Sequence, residues 1–161
     1  MIVEAARAAR HERAQRDRGG IEPPDDVYRA MRIAYPVLFA VMIGESILRG
    51  QPARVWIVLG LVCFLAAKAI KWWAILTLGP AWTFRVIVVP GAPLVRRGPY
   101  RFLRHPNYVG VAGELVGVAL AAGAYVSGPI AVVLFGTLMK RRIAVEERAL
   151  DSTARHPPCS L

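Results

Sequence analysis

Residues 55–78 read VWIVLGLVCFLAAKAIKWWAILTL. The run is apolar and longer than the roughly 20 residues that cross a hydrocarbon core as an α-helix, so it predicts a transmembrane helix. Its two charges, Lys68 and Lys71, fall in the last third. A lysine stem in that position is expected to snorkel to the headgroups. Trp72, Trp73 and Trp82 mark the same boundary as an aromatic belt.

The whole chain agrees with a membrane reading. Its 161 residues suffice for one domain. It is 55% hydrophobic with mean hydropathy +0.40, yet carries a formal net charge of +10. A soluble globule rarely combines the two, whereas a membrane protein places apolar runs in lipid and basic residues in its loops. A basic nucleic-acid binder accounts for the arginines but not for the apolar runs, so no nucleic-acid partner is expected. Cys63 reads as a small buried hydrophobe, and with Cys159 it suggests neither a disulfide framework nor a metal site.

Outward from residues 55–78, three further apolar runs appear. One precedes it at 27–48, with Glu45 near its far end and Asp25 or Asp26 placed to cap it. Two follow, at 108–124 and about 125–139, joined by a small-residue turn near Ser127-Gly128-Pro129. Each is short for a full crossing, so together they predict a tight, tilted hairpin. Residues 1–26 form a basic N-terminal segment, helical until Gly19-Gly20, and either solvated, lying on the membrane surface or frayed. Residues 79–107 form a loop in which Pro90-Gly91 turns between extended arms. KRRIAVEERAL (140–150) continues the last run as a polar helix, and 151–161 reads as a disordered tail. The domain proper is then 27–150.

Charge sets the topology. Lysine plus arginine number 7 in residues 1–32, 5 in 79–107 and 5 in 140–161, against two (Arg49 and Arg54) and none in the alternate loops. The positive-inside rule puts the N-terminus, the arginine loop and the C-terminus in the cytoplasm. The expected fold class is therefore an all-α integral membrane protein of about four transmembrane helices, the last two a tight hairpin, with a cytoplasmic arginine loop and a C-terminal helix.

The notable polar residues converge on that face. The hairpin brings Arg104 and His105 close to Arg142, Glu146 and Glu147. Pro106 stands at a first-turn position, where its missing N–H costs nothing. Gly110, Gly113, Glu114, Gly117 and Ala121 share one helix face, and GELVG is a small-residue packing motif. Packing explains the glycines. It does not explain Glu114, whose carboxylate costs about 2.5 kcal/mol or more at a bilayer centre unless paired or facing a wet cavity. Glu45, nearer a helix end, carries the same argument more weakly. Arg142 and Glu146 alone read as an i,i+4 surface pair, and a lone His105 as a cap or interfacial residue.

KWWAILTLGPAWTFRV (71–86), VPGAPLVRRGPYRFLRHPNYVG (89–110), Glu114 and RRIAVEERAL (141–150) together resemble the isoprenylcysteine carboxyl methyltransferase family, including its short bacterial members. Related phospholipid N-methyltransferases and membrane sterol or ene reductases share the outline. The resemblance implies an S-adenosylmethionine-dependent methyltransferase whose cofactor arrives from the cytoplasm and whose lipidic acceptor arrives laterally. Carried onto this chain, Arg104, His105, Pro106 and Tyr108 line the cofactor site, and Gly110 lets the ligand approach. Glu146 and Glu147 contact the cofactor or hold His105 and Arg104. Arg142 orients an anionic acceptor, and Glu114 pairs with one of these basic groups.

A carboxylate acceptor needs no base, whereas a phenol needs one, for which His105 or a glutamate is the candidate. Trp82, Tyr100 or Tyr108 offers a face to the sulfonium. No dinucleotide-type glycine loop is present or needed. The alanine- and arginine-heavy composition looks bacterial, which favours a bacterial inner membrane; the resemblance to the short bacterial members then implies a long-chain phenol or resorcinol as the acceptor. Two other readings stand beside this one. One is a membrane reductase using NADPH, which calls for a larger bundle. The other is a non-enzymatic protein binding anionic membrane lipids, which leaves Glu114 and the Glu146-Glu147 pair without a reason.

Overall fold

The computed structural model describes residues 2–155 and is all-helical. It comprises α1 (Ile2–Asp17), α2 (Tyr28–Arg49), α3 (Arg54–Leu78), α4 (Pro106–Ala122) and α5 (Ser127–Arg155). Among the described residues extended pairing is confined to one antiparallel bridge, Ile21 to Val88. Pro90-Gly91 makes the expected turn beside it, closed by Ala92 N donating to the Val89 carbonyl.

Two helices are long and apolar enough to cross a membrane, α2 and the span Arg54–Ala81 that includes α3. Helix α4 is shorter, at 17 residues, and α5 turns polar beyond Met139. Their outer faces are bare hydrocarbon: Ile33, Ile47, Val62, Leu65, Val133 and Leu134 are all exposed. Such a belt exceeds the apolar patches that water-soluble monomers tolerate, and lipid is the solvent it suits.

The central joint is α3 against α4, the largest helix–helix interface in the bundle. It is made by small residues, as the sequence led us to expect. A Cβ on Gly117 would lie 2.7 Å from Phe64 N, and one on Gly113 2.7 Å from the Ala67 Cβ. Close backbone approach supplies the dispersion contacts that lipid, as apolar as leucine, does not otherwise reward. Behind this joint Met42, Leu115, Phe135 and Met139 form the apolar core shared by α2, α4 and α5.

Three boundaries differ from the sequence reading. The α4–α5 turn comes earlier than Ser127-Gly128-Pro129, because Gly123 takes the left-handed conformation (φ +63°) and stops α4. Ser127, Gly128 and Pro129 instead open α5, where a first-turn proline is tolerated. Glu45 secures that start from α2, accepting hydrogen bonds from Val126 N (3.1 Å), Ser127 N (2.7 Å) and Ser127 Oγ. The second glutamate in an apolar run is thus a helix cap supplied by a neighbouring helix. Glu45→Ala should cost about 1 kcal/mol, in the range of a lost N-cap, and lower the thermal midpoint in detergent without altering ligand binding.

The third difference is at the far end. Helix α5 runs through residues 151–155, where the sequence predicts the start of a disordered tail. The segment DSTAR holds no glycine or proline, so its backbone bonds propagate, and Ser152 Oγ donates to the Ala149 carbonyl. The remainder of that tail lies outside the described residues.

Nor is α1 a solvated or frayed appendage. Glu4, Ala8 and Gln15 are buried. His11 Nδ1 donates to the Trp82 carbonyl at 2.8 Å and Gln15 Nε2 to that of Pro80 at 3.0 Å, fastening α1 to the turn after α3. Arg10 and Arg13 point outward.

Candidate active site

Helices α4 and α5 are antiparallel and nearly equal in rise up to Glu146, so the start of α4 stands level with the fifth turn of α5. This places Arg104 Nη1 at 3.3 Å from Glu147 and the His105 ring nitrogens at 3.8 Å from Glu146 and 3.5 Å from Glu147. Tyr108 Oη accepts from Arg142 Nε (2.9 Å) and lies 3.2 Å from Glu146 Oε2, to which it donates. The His105 and Tyr108 rings are 5.6 Å apart. The convergence expected of the hairpin is present.

These groups line one pole of a cavity of about 1080 Å³. At this pole His105 Nε2 and Asn107 Oδ1 are buried without a hydrogen bond, Nε2 having only the 3.5 Å approach of the Glu147 carboxylate. Buried polar atoms are nearly always satisfied, so this pair marks a place where a ligand's polar group fits. Tyr100 stands in the same wall; burial and the nearby Glu146 raise its pKa, keeping its phenol neutral.

The other pole is walled by Met31 and Tyr35 of α2, Lys71 of α3 and Phe135 of α5. Here lies the cluster that sequence reasoning missed. Glu114 is fully buried and is not paired with Arg104, His105 or Arg142, as the resemblance implied. Its partners are Lys68 Nζ at 3.1 Å, Lys71 Nζ at 3.4 Å and the Tyr35 hydroxyl, which donates to Oε2. Glu4 of α1 completes the group at 3.1 Å from Lys71 and 3.6 Å from Lys68. Burial opposes the Glu4 charge, but the two ammonium groups outweigh it and hold its pKa below the ordinary carboxylate value. Lys71, 5% exposed, therefore does not snorkel. A carboxylate on each side draws it inward, and a charge paired inside is cheaper than one bare in hydrocarbon.

Of the residues singled out from the sequence, Arg104, His105, Tyr108, Arg142, Glu146 and Glu147 line the cavity, while Pro106, Gly110 and Glu114 do not. Pro106 is the buried first residue of α4. Gly110 faces α3, where a Cβ would meet the Lys71 Cβ at 2.8 Å. The close approach it permits is that of a helix rather than of a ligand. Arg142 is the largest revision. It does not pair with Glu146; Nη1 lies 3.3 Å from Asp26, Nη2 donates to the Phe84 carbonyl, and Nε holds Tyr108. At 7% exposure it is a strut joining α5 to the loops before α2 and after α3. Asp26 Oδ1 faces Arg142 and accepts from Tyr28 N (3.1 Å), while Oδ2 accepts from Val86 N (3.1 Å).

The cavity residues that come from the third and later elements lie within the part of the chain that known proteins share. The model of the isoprenylcysteine carboxyl methyltransferase (ICMT) family matches residues 56–152. The uncharacterized protein YpbQ of Bacillus subtilis is 32% identical over 150 residues, covering 92% of this chain and 89% of its own. An uncharacterized protein of Haemophilus influenzae is 25% identical over 143 residues, 88% of this chain and 83% of its own. No solved structure matches. A match across α3, the arginine loop, α4 and nearly all of α5 takes in more than half of the sequence, and the chain belongs to the isoprenylcysteine carboxyl methyltransferase family, a family of membrane methyltransferases.

Proposed function

We propose that the protein transfers a methyl group from S-adenosylmethionine to an oxygen of a lipidic acceptor at the cytoplasmic face of a bacterial inner membrane. In this reading four helices cross or dip into the bilayer, and both termini are cytoplasmic, as the arginine distribution favours. The observation that carries it is the two-sided cavity. One pole is charged and polar, at the level of the arginine loop. The other is walled by Met31, Tyr35, Val111 and Phe135 together with Glu4 and Lys71, on a bundle whose outer face is hydrocarbon.

The residues at the polar pole fit the cofactor. Glu146 and Glu147 suit its ammonium or ribose hydroxyls, and the orphaned His105 Nε2 and Asn107 Oδ1 can satisfy polar atoms of the ligand. The rings of Tyr100 and Tyr108 offer faces to a cation. When bound, S-adenosylmethionine supplies an electrophilic methyl group on a sulfonium. The chain's own task is alignment and exclusion of water, since in-line displacement depends on how donor and acceptor are held. Tyr108 is fixed from two sides, by Arg142 and Glu146, so its ring is a rigid part of the cavity wall. We therefore assign Arg142 to positioning Tyr108 instead of seizing the acceptor.

Calorimetry of the detergent-purified protein tests this reading. S-adenosylhomocysteine should bind and NADPH should not. His105→Ala and Glu146→Ala should each weaken S-adenosylhomocysteine by about tenfold or more, equivalent to about 1.4 kcal/mol, with the thermal midpoint little changed. Binding of NADPH alone would favour a reductase, and binding of neither would favour an anionic-lipid-binding protein. Unaltered affinity in both variants would remove the site assignment.

A further inference from the structure

We propose that α1 is a hinged lid on the cavity, swinging on Gly19-Gly20 and gating the exchange of whatever the cavity binds. Glu4, Ala5 and Gln15 belong to the cavity wall, so the wall opens when α1 lifts. Such a gate serves any ligand of this cavity, S-adenosylmethionine or another.

The sequence of α1 sets it apart from the other walls. It buries Glu4, Ala8 and Gln15, with His11 half-buried between them. Spaced at three and four, these residues share one helix face, and that face is polar where a packing face is apolar. What holds it is polar too. His11 donates to the Trp82 carbonyl and Gln15 to that of Pro80. Glu4 lies 3.1 Å from Lys71 and 3.6 Å from Lys68, and Arg85 approaches Glu12 at 3.9 Å. Among the described residues Ala8 is the buried apolar side chain that α1 contributes, in a cluster with Ile75 and Trp82. By contrast α2, α4 and α5 share the core of Met42, Leu115 and Phe135, and α3 meets α4 backbone to backbone. Segments with few buried apolar contacts open locally at a fraction of the global unfolding free energy. Of the cavity walls, α1 is therefore the one that opens first.

The charges permit the movement. Glu4 Oε1 is buried without a hydrogen bond, and lifting α1 returns that oxygen to water. Lys68 and Lys71 keep Glu114 at 3.1 Å and 3.4 Å, so neither ammonium is left without a carboxylate beside it. The hinge is equally well placed. Gly19 takes φ +77°, a conformation open to glycine, and has nothing within 4 Å of an added Cβ. Two residues on, Ile21 N donates to the Val88 carbonyl (2.9 Å) and Val88 N to that of Ile21 (3.0 Å). That bridge anchors the chain beyond the hinge, and α1 swings about a fixed point beside the arginine loop.

Hydrogen exchange of the full chain in detergent, read by mass spectrometry, tests the lid. The amides of residues 6–17 should exchange about a hundredfold or more faster than those of α4 along its joint with α3. His11→Ala touches neither the lysines nor the cavity wall; it should speed exchange in α1 by about tenfold, the effect of one lost hydrogen bond, and leave α4 unchanged. Glu4→Gln, which weakens the hold at the other end of α1, should act in the same direction. Both variants should also raise the association and dissociation rates of S-adenosylhomocysteine by a common factor with Kd unchanged, because a gate acts on both rates alike. Exchange in α1 as slow as in α4, or a change in Kd through one rate only in both variants, would overturn the lid. If the wild-type chain does not bind S-adenosylhomocysteine, the methyltransferase reading falls and the exchange pattern alone decides on the lid.

Discussion

Glu114→Ala is expected to lower stability by about 3–5 kcal/mol, the usual cost of removing one partner from a buried ion pair. The reason lies in what remains. With Glu114 gone, Lys68 and Lys71 share the single carboxylate of Glu4, and one ammonium is left in an apolar wall with no counter-charge. Tyr35 also loses the acceptor for its hydroxyl. The loss should shrink when the charges are removed in matched pairs. Lys71→Met with Glu114→Leu leaves Glu4 facing Lys68 at 3.6 Å, a neutral remnant. Apolar replacement of a complete buried pair is often close to neutral. Thermal unfolding in detergent, read by the helical circular-dichroism signal, should place the double variant well above Glu114→Ala. A double variant no more stable than the single one would show that the cost lies in lost packing and not in the stranded charge.

That cluster also shows how far the sequence could be read. The apolar runs at 27–48, 55–78 and 108–124, the hairpin and the meeting of Arg104 and His105 with Glu146 and Glu147 were legible, because each follows from a local period or from helix rise. Glu114 was marked as anomalous for the right reason, the expense of a carboxylate among apolar neighbours. Its partners were not legible. Lys68 and Lys71 share a helix face three residues apart, a spacing equally suited to snorkelling and to inward pairing. Only the docking of α1, which brings Glu4 from the far end of the chain, decides between them. Tyr35 gave no signal at all inside an apolar run. Arg142 failed in the opposite way, since a four-residue spacing to Glu146 pointed to a partner on its own helix. Asp26 and the Phe84 carbonyl, contributed by loops remote in sequence, won it instead.

The glycines of the α3–α4 joint separate close approach from mere helix composition. Gly60→Ala should destabilise the protein by about 1–3 kcal/mol, the cost of overpacking a filled interface. A Cβ there would sit 2.4 Å from Ala121 N and 2.5 Å from the Gly117 carbonyl oxygen. Both obstacles are backbone, so neither can rotate aside, and α3 and α4 must separate. Because Gly113 and Gly110 continue the same seam toward Lys71, separation at Gly60 loosens the wall that holds the Glu114 cluster. Gly136→Ala is the matched control. It lies on α5 with nothing within 4 Å of its added Cβ. Alanine there should be neutral or stabilise by up to about 1 kcal/mol through helix propensity. Equal effects of the two substitutions on the unfolding midpoint would mean that α3 and α4 are not held together by backbone contact. A large loss confined to Gly60→Ala would tie the stability of the bundle to backbone contact along the α3–α4 seam.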